Sequence, residues 1–206
     1  MGTVYLIRHG EIAQSKPRRF LGQQDVPLTP RGREQMAQLG EFLRSRAIDR
    51  VLTSPLTRCL ESADILCRRQ AVASFEIVDD LREIALGSWE GKTVAEVRQH
   101  FPGEYEARGR AIATYRPAGG ESFFELQRRV WPVFTAIAAG AEKKRIAIIA
   151  HAGVNRALLC RLLGMPLERL FCLSQRYGCV NEVSLGAPDW RVVTVNYCLE
   201  SCSQNE

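Results

Sequence analysis

The chain has 206 residues, 46% hydrophobic and 25% charged, enough to bury one full core over 1–206 and too apolar for a disordered tail. Its net charge of +5 rests almost wholly on arginine, since Lys16, Lys92, Lys143 and Lys144 are the only lysines among 28 basic residues. The arginines are scattered, which argues against nucleic acid as a partner, while their planar forks suit phosphate or carboxylate.

Taken in chain order, 3–8 (TVYLIR) reads as a strand covered on both faces, and Thr29-Pro30 opens a helix carrying Met36, Leu39 and Leu43 on one side. RVLT (50–53) is a second strand. Ser54-Pro55 repeats the cap-plus-proline start for a helix with Leu56, Leu60, Ala63 and Leu66 on its apolar face, and 75–81 (FEIVDDL) is a third strand. Two capping boxes follow, Thr93 with Glu96 and Ser122 with Glu125, the second starting a helix that runs to about Ala139. RIAIIA (145–150) is the most apolar run and is expected at the sheet centre; a helix over 157–163 ends at Gly164 and Pro166. The runs 180–185 and 190–196 pair as a hairpin around GAPD. Strands alternating with helices imply a mostly parallel sheet between two helical layers, with 87–120 as a helical cap over one end.

Seven cysteines, an odd number with no CxxC pair, point to a reduced, cytoplasmic protein. No apolar run reaches the roughly 18 residues that would cross a bilayer, so no membrane partner is expected. The strand pattern starts at once, leaving no room for a secretory signal.

In such sheets ligands bind outside the carboxyl ends of the strands. Arg8-His9-Gly10 leaves the first strand there, and His151-Ala152-Gly153 leaves the central strand in the same way, so two of the chain's three histidines face one rim. A neighbouring Arg8 would keep the His9 imidazole neutral, with a lone pair free to attack phosphorus. Arg58, near the start of the second helix, can reach the same rim. Arg8, Arg58 and His151 then suffice to hold the three equatorial oxygens of a phosphoryl group without a metal. The leaving oxygen still needs a proton. Glu83 follows the third strand toward that rim, with Glu90 and Glu11 as rivals.

The motifs LIRHGE, SPLTRCLESA, LREIALGSWEG, GGES and AHAGVNRALL, in this order and at about this spacing, resemble the histidine phosphatase superfamily with its phosphoglycerate-mutase-like fold. The resemblance implies a three-layer α/β/α sandwich and no metal or cofactor. It also implies a His9 that becomes phosphorylated, Arg8, Arg58 and His151 on the phosphoryl group, and Glu83 as acid and then base. The Thr-x-x-Asn found after His-Gly-Glu in the mutase-like branch is replaced by Ile12, Ala13, Gln14 and Ser15. Ser15, Gln23 and Ala152 are therefore the candidate substrate contacts.

Mutases of this family also carry Glu-Arg-His-Tyr-Gly after the acid, where this chain has Ile84, Ala85, Leu86 and Gly87, so hydrolysis is favoured over mutase transfer. The phosphatase branches that it resembles are α-ribazole phosphatases and broad-specificity phosphatases, and the expected partner is a small phosphorylated metabolite, with a homodimer left open. A non-catalytic module that only holds a phosphorylated ligand is the rival of another class, and Glu83 speaks against it, because a pure anion site would avoid a carboxylate. Gly87 to Thr93 fails as a P-loop, since three residues rather than four separate its two glycines. No cysteine has an arginine six positions on, and no His-x-His or His-x-x-x-His pair exists for zinc.

Overall fold

The computed structural model describes residues 2–13, 17–186 and 190–199. Strand β1 (Gly2–Arg8) lies beside β4 (Arg145–Ala150) in parallel, with Arg8 opposite Ala150. On its other side β4 pairs in parallel with β2 (Arg50–Thr53), which carries β3 (Glu76–Ile77) at the edge. Two antiparallel strands, β5 (Val180–Leu185) and β6 (Trp190–Tyr197), extend the sheet beyond β1, giving the order β3-β2-β4-β1-β5-β6. The hairpin is thus present, and the tip of its GAPD turn lies outside the described residues. The apolar run of β4 sits inside the sheet as expected, with Ile146 to Ala150 fully buried.

Alternate residues of the strands feed two cores. Tyr5, Ile7, Val51, Ala147 and Ile149 face helices α1 (Pro30–Leu43) and α2 (Thr57–Gln70) through Met36, Leu39, Ala63 and Leu66. Val4, Leu6, Leu52, Ile146 and Ile148 face the opposite layer. This second core is filled by Leu126, Val130 and Phe134 of the 17-residue helix between Phe123 and Ala139, and by Leu158 of the helix at Ala152–Leu162. The fold is therefore a mixed α/β sandwich with a mostly parallel sheet. The period-two alternation of β1 and β4 divides their side chains between the two layers. Between Gly87 and Gly120 two short helices, α3 (Val94–His100) and α4 (Glu104–Arg110), pack through Trp89 and Val97 onto the second core. The longer helices just described are α5 (Phe123–Ala139) and α6 (Ala152–Leu162).

Local signals place the starts of α1, α3 and α5. The Thr29 hydroxyl accepts from Gly32 N–H with Pro30 in the first turn, and both capping boxes form. Three expectations need correction. Helix α2 starts at Thr57 with no cap from Ser54; instead the Asp25 carboxylate accepts from the Thr57 N–H and hydroxyl, at 2.8 and 2.6 Å, and supplies the negative charge that a helix start favours. The third strand is only Glu76–Ile77, because Asp79–Leu81 turns into a 3₁₀ segment that redirects the chain toward Glu83. Helix α6 begins at Ala152, five residues before the expected 157, with His151 itself in the cap position.

Candidate active site

Strand register brings the two histidines together. Because Arg8 and Ala150 are opposite in parallel neighbours, the next residues, His9 and His151, leave adjacent strands side by side, and their rings meet edge-on with centroids 5.3 Å apart. The backbone of His9 is pinned by its N–H to Ala150 and by Gly178 N–H donating to its carbonyl. Gly10 then packs so tightly on α1 that a Cβ there would lie 2.3 Å from the Gly32 carbonyl oxygen.

The tautomers follow from the partners. A carbonyl can only accept, so Nδ1 of His9, 2.8 Å from the Gly10 oxygen, carries the proton and Nε2 keeps a free lone pair. Arg58 Nε donates to His151 Nδ1 at 3.3 Å, which leaves the His151 proton on Nε2, 2.8 Å from the Ser54 hydroxyl. Both rings are held well below the ordinary imidazole range. For His9 the main cause is burial, followed by the charges of Arg8 and Arg58; sequence reasoning credited Arg8 alone. For His151 burial again leads, followed by Arg58.

Arg58 is 2% exposed. Its Nη1 and Nη2 donate to the Gln24 and Gly22 carbonyls at 2.7 and 2.9 Å, so three of its five N–H donors are committed and two remain for a ligand. Arg8 donates to the Gln175 carbonyl, and its guanidinium carbon lies 3.7 Å from the Tyr177 ring centroid. Its Nε is buried with no acceptor among the described residues, a costly donor to leave unpaired beside a cavity. Arg8, His9, Arg58, Glu83 and Ala152 line one cavity of about 280 Å³. Across it, Glu83 is held by two backbone donors, Ile84 N–H at 2.9 Å and Gly153 N–H in the first turn of α6 at 3.1 Å.

The rivals of Glu83 are engaged elsewhere. Glu90 accepts from the backbone of Gln23 and Leu86, while Glu11 accepts from the Thr29 hydroxyl, and neither lines the cavity. Ser15 lies outside the described residues. Gln23 is not in the cavity wall; its amide donates to the Glu83 carbonyl at 2.8 Å and so steadies the segment that carries the carboxylate. Sequence reasoning missed Ser54 as the partner of His151, Tyr177 beside Arg8, and the buried amides Asn155, Gln175 and Asn181 that brace this rim. No local signal marks Ser54, which reads as a helix cap. Cys59 touches His151 but is no nucleophile, because burial pushes its thiol far above its ordinary range.

Two neutral imidazoles, one with an unengaged lone pair, and guanidinium groups with unspent donors line one cavity, an arrangement suited to an oxyanion. Residues 4–197 match the model of the histidine phosphatase superfamily (branch 1), and the chain belongs to that family. Adenosylcobalamin/alpha-ribazole phosphatase of Escherichia coli is 30% identical over 183 residues, 88% of this chain and 89% of the relative. A probable phosphoglycerate mutase GpmB of Salmonella choleraesuis is 31% identical over 192 residues, 92% and 88% of the two chains. The crystal structure of the alpha-ribazole phosphatase from Shigella flexneri superposes with a TM-score of 0.86 at 27% identity, covering 95% of this chain and 96% of that one.

Two expectations arise from this geometry. A Cβ on Gly153 would come within 2.3 Å of Glu83 Oε1, a flexible carboxylate that yields more readily than the helix. Gly153→Ala should thus displace the carboxylate at little cost in stability, since alanine is the better helix former by roughly 0.5–1 kcal/mol. The expected result is an unchanged or raised Tm with kcat down about 100-fold, and a kcat equal to wild type would remove Glu83 from the chemistry. The second concerns acid. Below the unfolded histidine value near 6.5, unfolding takes up a proton at each ring that the folded protein keeps neutral, so stability falls as pH drops. Each ring adds a slope of up to about 1.4 kcal/mol per pH unit, and urea melts between pH 7 and 5 measure it.

Proposed function

We propose that the protein hydrolyses phosphomonoesters of small metabolites through a phosphohistidine at His9, without a metal. The observation that carries this reading is the free Nε2 lone pair of His9, aimed into a cavity where Arg8 and Arg58 have donors left over. In the first step Nε2 attacks phosphorus and the P–O bond to the leaving group breaks, with Glu83 in its acid form delivering the proton to the departing oxygen. Arg8 and Arg58 hold the equatorial oxygens with the donors they have left, and His151 takes the third by turning its Nε2 proton from the Ser54 hydroxyl to that oxygen. In the second step Glu83, now a carboxylate, takes a proton from water, the resulting oxygen attacks phosphorus, and the P–N bond returns its electron pair to Nε2. The sum is ester plus water giving alcohol and inorganic phosphate, and each catalytic group ends as it began.

Such chemistry relies on positioning and electrostatics, which fits a site whose groups are already locked by backbone bonds. The six free thiols among the described residues fit a reducing compartment, and we place the protein in the cytoplasm. No helix among the described residues is long and apolar enough to cross a membrane.

Turnover of p-nitrophenyl phosphate in EDTA between pH 5 and 8 tests the reading. No hydrolysis at any pH would favour a module that only binds phosphorylated ligands. Glu83→Gln should slow esters of aliphatic alcohols by about 10²–10³-fold and p-nitrophenyl phosphate far less, because a good leaving group needs no proton. Equal losses for both would deny Glu83 the role of acid. Capture of the phosphoryl group by a second substrate hydroxyl, rather than by water, would favour the mutase reading. The relatives' names make α-ribazole phosphate and phosphoglycerate the first substrates to compare.

A further inference from the structure

Two cysteines that the chemistry of the site does not use stand across from one another beside it. Strands β5 and β6 pair with Val180 opposite Tyr197, and the residues that extend this register outward are Cys179 and Cys198. Val180 belongs to the core that α1 and α2 cover, and the Tyr197 ring packs on Phe42 of α1 with centroids 5.3 Å apart. Successive side chains alternate across a strand, so Cys179 and Cys198 both turn to the opposite face. Burial pushes the Cys179 thiol up to about 12, and charge on Cys198 adds to the rise, as it does only for a near neighbour.

Cys179 also ties this hairpin to the site. Its carbonyl accepts from the Arg8 N–H at 3.0 Å, and the preceding Gly178 N–H donates to the His9 carbonyl at 3.1 Å. Its Sγ donates to Gln175 Oε1 at 3.5 Å, and the main-chain carbonyl of that same Gln175 accepts from the Arg8 guanidinium. Directly opposite residues of antiparallel strands hold their Cβ atoms about 4.5–5.5 Å apart, whereas a disulfide needs roughly 3.5–4.5 Å, so joining the two sulfurs draws these strand ends about 1 Å together. The pairing of β5 with β6 shifts register on both sides of Glu182, which lets this end of the hairpin yield. Cys179 is buried and Cys198 partly exposed, so an oxidant from solvent meets Cys198 first.

We propose that Cys179 and Cys198 form a cross-strand disulfide in response to peroxide, and that the oxidised protein holds phosphoryl groups less tightly because Arg8 is displaced. Hydrogen peroxide first oxidises the Cys198 thiol to a sulfenic acid and is itself reduced, with one water released. The Cys179 sulfur then attacks the Cys198 sulfur. The S–S bond forms, the S–OH bond breaks, and the oxygen leaves with the Cys179 proton as a second water. Two thiols have lost two electrons, and one peroxide has become two waters. The Gln175 amide loses the S–H donor, and the carbonyls on which Arg8 depends move with residue 179. In a reducing compartment such a bond is transient and a dithiol reverses it, as suits a sensor. The thiol pair stands on the hairpin geometry, and only its consequence for turnover rests on the phosphatase reading.

Tryptic cleavage after Arg176 and Arg191 puts the two cysteines on separate peptides, 177–191 and 192–206. The full chain carries Cys202→Ser throughout, because Cys202 lies outside the described residues and shares the second peptide. After hydrogen peroxide and blocking of the remaining thiols, a non-reducing map should show these peptides joined through Cys179 and Cys198, and dithiothreitol should part them. Calorimetry with inorganic phosphate should give a Kd about tenfold higher in the oxidised protein, as for the loss of one charge-assisted hydrogen bond, with recovery on reduction. Cys198→Ser keeps a donor of similar shape, so it should bind phosphate like the reduced protein and ignore peroxide. No joined peptide, a link between Cys160 and Cys172 in its place, or a phosphate Kd that oxidation leaves unchanged overturns the proposal. So does a Cys198→Ser protein that loses phosphate affinity to peroxide as the parent does. A joined peptide with the Kd response, in a protein that hydrolyses no ester in either redox state, keeps the thiol switch and removes the phosphatase reading.

Discussion

Replacing His9 by alanine is expected to abolish the covalent phosphoenzyme and to lower kcat by about 10⁴-fold or more, because no other group is placed to attack phosphorus. His151 is adjacent, but its Nδ1 already accepts from Arg58 and its Nε2 proton points at Ser54, so it presents no free lone pair to the cavity. Cys59 is buried as a neutral thiol. Incubation with ³²P-labelled substrate, acid-free denaturation and gel separation should label the wild type and leave His9→Ala blank, whereas His151→Ala should still label, more slowly. A His9→Ala protein that keeps a tenth of wild-type activity would end the phosphohistidine mechanism. The same variant should also show a shallower loss of stability with acid, since one of the two rings that must stay neutral is gone.

Arg58→Ala should damage both stability and rate, and two opposing effects decide how much. Burial does most to keep both histidines from protonating, and removing a buried cation relieves only the part that Arg58 adds by repulsion. Against this, the carbonyls of Gly22 and Gln24 lose their donors, and the Gly22 carbonyl belongs to a buried residue where water is slow to replace them. Unsatisfied acceptors cost about 1–3 kcal/mol each, so the loss outweighs the relief, and a net destabilisation of roughly 2–4 kcal/mol is expected. For a chain of this size that is a fall in Tm of roughly 4–16 °C. The rate should drop by about 10³-fold or more, as when a transition-state donor is removed from phosphoryl transfer. Arg58→Lys separates the roles: a point charge without the fork restores little activity, because it cannot serve His151, two carbonyls and a phosphoryl oxygen at once. Wild-type kcat in Arg58→Lys would show that charge alone matters.

Much of the site is legible along the chain because its parts sit at ends of elements, and ends carry local signals. The apolar runs that become β1 and β4 both stop at histidine next to glycine, and parallel pairing of two such strands leaves little choice about which residues share a rim. The capping boxes at Thr93 and Ser122 form as written, since a hydroxyl reaching three residues on needs no tertiary partner. Glu83 was harder. Its approach depends on the 3₁₀ turn at Asp79–Leu81, where the run 75–81 reads as continued strand.

Residue order and type by themselves determined the layered α/β class, the pairing of His9 with His151 at one edge, and the convergence of Arg8 and Arg58 on the same rim, because periodicity and strand-end chemistry act within a few residues. Only the tertiary structure decided which imidazole nitrogen carries a proton, that Ser54 serves His151 from 97 positions away rather than capping α2, and that Arg58 spends three of its donors inside the protein. Those outcomes depend on burial and on which distant groups consume each donor, quantities that exist only once the chain has closed around them.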